Sequence, residues 1–89
     1  MVIERNASPV ASGEGTELRG HFGRTLREAR QKAGLTQAAL AALAGLTQQY
    51  VAKIEAGQIN PTLATMAAVA RVLHLDVGDM LRLADPSTE

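Results

Sequence analysis

Apolar residues recur every three or four positions over most of this chain, the period of an α-helix lying on a core. Phe22, Leu26, Ala29 and Ala33 mark a first helix from about Glu17, with Arg24, Arg27, Glu28 and Gln31 on its polar face. Gly34 is placed to end it in the left-handed conformation, while Gly20 and Gly23 weaken its start. Thr36 caps a second helix, Gln37 to Ala44, whose inner face reads as Leu40, Leu43 and Ala44, and Gly45 stops it. Thr47 caps a third helix running to about Ala56, ahead of Gly57. Asn60-Pro61 forces a loop, and Thr62 opens a fourth helix with Leu63, Met66, Ala67, Ala70 and Leu73 inward. His74-Leu75 leads to Asp76, the cap of a short fifth helix through about Leu83, with Asp79 near a capping-box position. Leu26, Leu40, Leu43, Val51, Ile54, Leu63, Met66 and Leu73 are the expected core. No segment alternates as a strand does, so the expected fold is all-α with five short helices. Residues 1–16, with Ser8, Pro9, Ser12, Gly13 and Gly15, read as a disordered N-terminal arm. The domain spans 17–84, and Asp85-Pro86 opens a flexible C-terminus, 85–89.

At 89 residues the chain holds one domain with a small core, of marginal stability unless a partner subunit adds buried surface. The absence of cysteine rules out a disulfide, a thiolate nucleophile and Cys-ligated zinc. The uncharged run Ala33 to Ala52 is too polar to span a membrane, and the N-terminus lacks a signal-peptide pattern, so a cytoplasmic protein is expected. His21 and His74 lie far apart, which points to no metal and no cofactor. Ser8 and Ser12 have no oxyanion-hole context and no carboxylates form a dyad, so no enzyme is expected. Net charge is zero, but its distribution is uneven. Residues 20–60 carry Arg24, Arg27, Arg30, Lys32 and Lys53 against Glu28 and Glu55, a net of +3, while both flanking segments are net negative.

The segment Ala38 to Ile54 meets the steric demands of two short helices joined by a tight, glycine-containing turn, a helix-turn-helix over about 36–56. Ala41 is small where the helices press together, Gly45 takes the positive φ, and Leu46 plugs the turn. Val51 and Ile54 anchor the third helix. Gln48, Gln49, Ala52, Lys53 and Ala56 fall on the opposite stripe. Two amides and an ammonium, spaced by small alanines, suit close approach to a base edge. Glutamine bonds bidentately to adenine N6/N7, and lysine donates to guanine or to phosphate. Gln37 and the free N–H groups opening the second helix suit a phosphate.

The run Leu35-Thr36-Gln37, Leu40-Ala41, Ala44-Gly45-Leu46-Thr47, Val51, Ile54-Glu55-Ala56-Gly57 and Asn60-Pro61-Thr62 resembles the phage repressor and Cro (lambda-repressor-like, XRE-type) helix-turn-helix family, over roughly Phe22 to Leu83. The resemblance implies a compact five-helix DNA-binding domain whose third helix reads the major groove. It implies base contacts from Gln48, Gln49 and Lys53, and backbone contacts from Gln37, Thr47, Gln58 and Asn60. It also implies a structural ion pair between Arg30 and Glu55. Two departures stand out: Tyr50 replaces a small hydroxyl residue, packing on the first helix or touching the backbone, and the loop after Gly57 is uncharged.

Val77, Met80, Leu81 and Leu83 are more apolar than a terminal helix needs and are candidate dimer contacts. A two-fold dimer predicts a palindromic site in double-stranded DNA, with recognition helices about 34 Å apart. The reading is a sequence-specific transcriptional regulator. Its alternatives are an antitoxin that also binds a toxin, a restriction–modification controller protein, and a protein-binding adaptor on the same fold.

Overall fold

The computed structural model describes the backbone of residues 8–82 and the side chains of residues 17–82. Its regular structure is five helices: α1 (Ser8–Lys32), α2 (Gln37–Ala44), α3 (Gln48–Glu55), α4 (Leu63–Leu73) and α5 (Val77–Leu81). Their starts follow from the side chains that cap them. Thr36, Thr47 and Thr62 each accept the backbone N–H three residues on, at 3.0, 3.1 and 3.1 Å. Asp76 accepts the Gly78 N–H at 2.7 Å. Such a bond satisfies one of the donors a helix start leaves orphaned, and each stabilises by about 1 kcal/mol.

The helix ends share one device. The N–H groups of Leu35, Leu46, Gln58 and Leu75 reach back to the carbonyls of Arg30, Ala41, Lys53 and Ala70, at 3.1, 2.8, 3.0 and 2.8 Å. This closure requires a left-handed residue at the bend and favours an apolar one just after it. Gly45, at φ 74°, supplies the bend between α2 and α3, and Leu46 tucks against the core behind it. At the end of α4 His74 adopts φ 58° in the same role, the one non-glycine residue with positive φ among those described.

Every helix contributes to one core: Phe22 and Leu26 from α1, Leu40 and Ala41 from α2, Val51 and Ile54 from α3, Val69 and Ala70 from α4, and Met80 from α5. α1 and α3 come unusually close, because a Cβ at Gly23 would lie 2.4 Å from the Ile54 carbonyl oxygen and 2.8 Å from that of Glu55. Only a residue without a side chain fits that crossing.

The structure departs from the sequence expectation in several places. α1 extends back to Ser8, through residues 8–16 of the expected arm, since a formed helix lengthens without a new nucleation cost. Residues 1–7 of that arm and residues 83–89, including Leu83, lie outside the described residues. Leu43 is 64% and Leu63 66% exposed, so neither belongs to the core. α2 turns Leu40, Ala41 and Ala44 inward, and Leu43 lies roughly 100° from the middle of that arc. Leu63 sits in the first turn of α4, ahead of the point where the helix begins to bury a face. Met66 and Leu73 are half-buried at the margin. α5 ends at Leu81, and Asp79 binds Arg82 at 2.8 Å, both exposed. Met80, expected as a dimer contact, is 1% exposed and closes the core instead, because α5 must seal the domain with its largest inward side chain.

Two glycine variants test the α1–α3 crossing. Gly23→Ala is expected to destabilise by about 1–3 kcal/mol, because backbone must move, despite the better helix propensity of alanine. A Cβ at Gly20 meets just the mobile Nη1 of Arg24, at 3.2 Å. Gly20→Ala is therefore expected to stabilise by about 0.5–1 kcal/mol. Urea denaturation of both checks the contrast; equal effects would remove the close-approach argument.

Candidate nucleic-acid interface

α3 divides cleanly into two faces. Val51, Ile54 and Glu55 are buried, while Gln48, Gln49, Lys53 and Ala56 are exposed and Ala52 is half-buried. The exposed stripe therefore carries two amides and one ammonium with methyl-sized neighbours, and nothing on α3 larger than alanine interrupts it. Among the described residues these three side chains make no hydrogen bond or ion pair within the chain. Thr47, at the mouth of α3, accepts the Tyr50 N–H and still has its hydroxyl proton to donate. Tyr50 is half-buried and packs against the core, which is where the bulk of this larger residue goes.

Beside these apolar anchors, a polar network ties α3 to α1 and α2. Glu55 is 8% and Arg30 9% exposed. Arg30 Nε donates to Glu55 Oε2 at 2.6 Å and Nη2 to Oε1 at 3.0 Å, a forked pair. Nη1 donates to the Leu35 carbonyl at 2.8 Å, in the turn between α1 and α2. Gln37 Nε2 also donates to Glu55 Oε1, at 3.0 Å. The carboxylate accepts only, so this contact fixes which end of the Gln37 amide faces inward. The hydrogen bond with Glu55 raises the pKa of Arg30 above its ordinary value; burial opposes this and the Glu55 charge adds to it. The guanidinium thus stays charged. α1, α2 and α3 meet in this one network.

The remaining expected contacts are spread more widely. Gln37 is half-buried at the first turn of α2, and its nitrogen retains a second N–H beyond the one given to Glu55. Gln58 and Asn60 are exposed in the loop between α3 and α4. Asn60 borders an apolar depression of about 230 Å³, with Leu18, Phe22, Pro61, Met66 and Leu81 in its walls. Val77 is half-buried against the core. A second, polar depression of about 220 Å³ lies between α1, α2 and α3, lined by Arg27, Arg30, Gln37, Ala52, Glu55 and Ala56. Sequence reasoning missed the Gln37–Glu55 bond and the place of Arg27 beside α3. Residues 18 apart show no periodic relation, so the first left no signal; the spacing of three from Arg27 to Arg30 was a faint one for the second. Among the described residues no group of His, Asp or Glu is placed to hold a metal, and no helix is long and apolar enough to cross a membrane.

A helix-turn-helix family model matches residues 26–80. The chain is 39% identical over 57 residues, 64% of its length, to y4dL, an uncharacterised HTH-type transcriptional regulator of Sinorhizobium fredii. It is 40% identical over 55 residues, 62% of its length, to the immunity repressor protein of Bacillus phage phi105. It spans 29% of the first of these relatives and 38% of the second. The crystal structure of the restriction-modification controller protein C.AhdI from Aeromonas hydrophila superimposes with a TM-score of 0.67 at 37% identity, covering 70% of this chain and 94% of that one. The fold also recurs within an enzyme: hydroxypropylphosphonic acid epoxidase from S. wedmorenis matches at a TM-score of 0.69 and 30% identity, over 76% of this chain and 36% of its own. The chain belongs to the helix-turn-helix family, in its XRE-type, phage-repressor-like branch.

Arg30→Ala is expected to lower stability by about 3 kcal/mol, since it strands a buried carboxylate. Replacing both partners by methionine should recover most of that loss, because two buried charges are then removed together. Denaturant titration of the single and double variants decides the point: a double variant as unstable as the single would mean that packing, not charge, sets the cost.

Proposed function

We propose that this helix-turn-helix family member binds double-stranded DNA sequence-specifically and regulates transcription by occupying a promoter. The observation that carries this reading is the exposed stripe of Gln48, Gln49 and Lys53, with Ala52 and Ala56 between them, on a helix whose other face is locked into the core. In the proposed complex α3 lies in the major groove. The glutamines read base edges, Lys53 reads guanine or meets phosphate, and Gln37, Thr47, Gln58 and Asn60 meet the backbone. The Arg30–Glu55 pair holds α3 rigid and keeps a carboxylate from facing phosphates unpaired. The chain catalyses nothing, and it acts in the cytoplasm on DNA.

Two copies are proposed to act together. The apolar depression flanked by Leu18 and Leu81 offers contact surface at the α5 end, and half-buried Val77 is proposed as a further contact. A two-fold pair would span successive major grooves and favour a palindromic operator. A second reading follows from the likeness to the controller protein: the same binding mode serving a restriction–modification locus. Flanking endonuclease and methyltransferase genes would move it to first place.

The primary test is titration against the region upstream of the chain's own gene, and against a random duplex pool, with competitor DNA. Selective, salt-sensitive binding is expected. Gln48→Ala or Gln49→Ala should then cost about 1–3 kcal/mol at one base position and leave the others unchanged. Full selectivity in both variants would sink the base-contact assignment. Sedimentation equilibrium across a wide concentration range tests the pairing: a monomer throughout, with and without DNA, would remove the dimer and the palindrome together.

A further inference from the structure

Arg27 has no role in the network described above, yet it stands beside it. Its guanidinium is exposed and makes no hydrogen bond or ion pair among the described residues. Arg27 and Arg30 lie three apart on α1 and so share a face, the one turned toward α3. Arg30 spends all its reach inward on Glu55 and Leu35. Arg27 instead forms part of the rim of the polar depression of about 220 Å³, opposite Ala52 and Ala56. Those two alanines belong to the same stripe as Gln48, Gln49 and Lys53, so the depression opens beside the face proposed to meet DNA. Its acidic group, Glu55, is neutralised by two bonds from Arg30 and a third from Gln37. What remains is one positive charge, a polar floor, and walls too small to block an approaching oxygen.

We propose that Arg27 donates to a backbone phosphate of the bound duplex, with the depression between α1 and α3 receiving that phosphate's oxygens. The assignment rests on the DNA-binding reading above and adds a contact from α1, outside the helix-turn-helix itself. The forked donors of arginine suit a phosphate, and the contact carries no sequence information. It supplies a cation on a face where the loop from Gly57 to Asn60 has none.

The test compares the wild-type chain with Arg27→Gln and Arg27→Lys on duplexes selected from a random pool by the wild type, each titrated at several salt concentrations. Arg27→Gln should weaken binding to every duplex alike, by roughly fivefold, and lower the slope of log affinity against log salt by about one per protomer. Arg27→Lys should keep the slope. Melting temperature and base preference should stay unchanged in both, which a structural role for Arg27 would not allow. Wild-type affinity and slope in Arg27→Gln would overturn the assignment while the selective wild-type binding kept the functional reading intact. A wild-type chain that binds no duplex would overturn both.

Discussion

Glu55 is a carboxylate held where almost no water reaches it, and the arrangement of α1, α2 and α3 follows from satisfying it. An unpaired charge at that depth would cost several kcal/mol, so the helices must deliver donors to it. Arg30 brings two from α1, and Gln37 brings one from α2. The third arm of the same guanidinium ties down the turn at Leu35. A hydrophobic cluster in this position would hold the helices together just as well, because a buried ion pair roughly breaks even against apolar replacements. The forked pair adds fixed acceptor positions, a directional constraint that apolar contacts lack. Gly23 acts in the same direction on the other side of Ile54, letting α1 approach the α3 backbone until only hydrogen fits between them. Together these contacts hold α3 with the Gln48, Gln49 and Lys53 stripe outward, and the proposed readout of base edges depends on that placement.

The helix order was legible because it is written in local chemistry. Thr36, Thr47, Thr62 and Asp76 announce helix starts by a bond to the backbone two or three residues away, and Gly34, Gly45 and Gly57 announce ends by a conformation other residues avoid. Neither signal needs the rest of the molecule. The errors fall where a residue's fate depends on a neighbour in space. Leu43 and Leu63 fit a helical period as well as true core residues do, but period gives the face of a helix and not how wide an arc its partners cover. Met80 was misplaced for the same reason, since a surplus of apolar residues on α5 does not say which one seals the core and which stays outside. In the site, the stripe on α3 was legible from period alone. The bond from Gln37 to Glu55 was not, because only the folded turn between α2 and α3 brings them within reach.

The neutral net charge has a physical consequence for the proposed function. Nonspecific affinity for DNA comes almost wholly from counterion release by cations against phosphate, and it falls steeply with salt. A chain with an uncharged loop after α3 gains less from that source than one with cations there. Base-edge contacts are nearly independent of it. The ratio of specific to nonspecific binding, which decides occupancy of one operator among many competing sites, therefore rests on the base contacts, because phosphate contacts made in both modes cancel in it. The cost is absolute affinity, which a single copy with the three proposed base contacts would not restore. In the proposed pair the second copy would restore it, since its own α3 then binds at a high effective concentration. A sparse basic surface, the proposed base contacts on α3 and the proposed pairing thus fit one another, with selectivity resting on base edges and affinity on two copies acting at once.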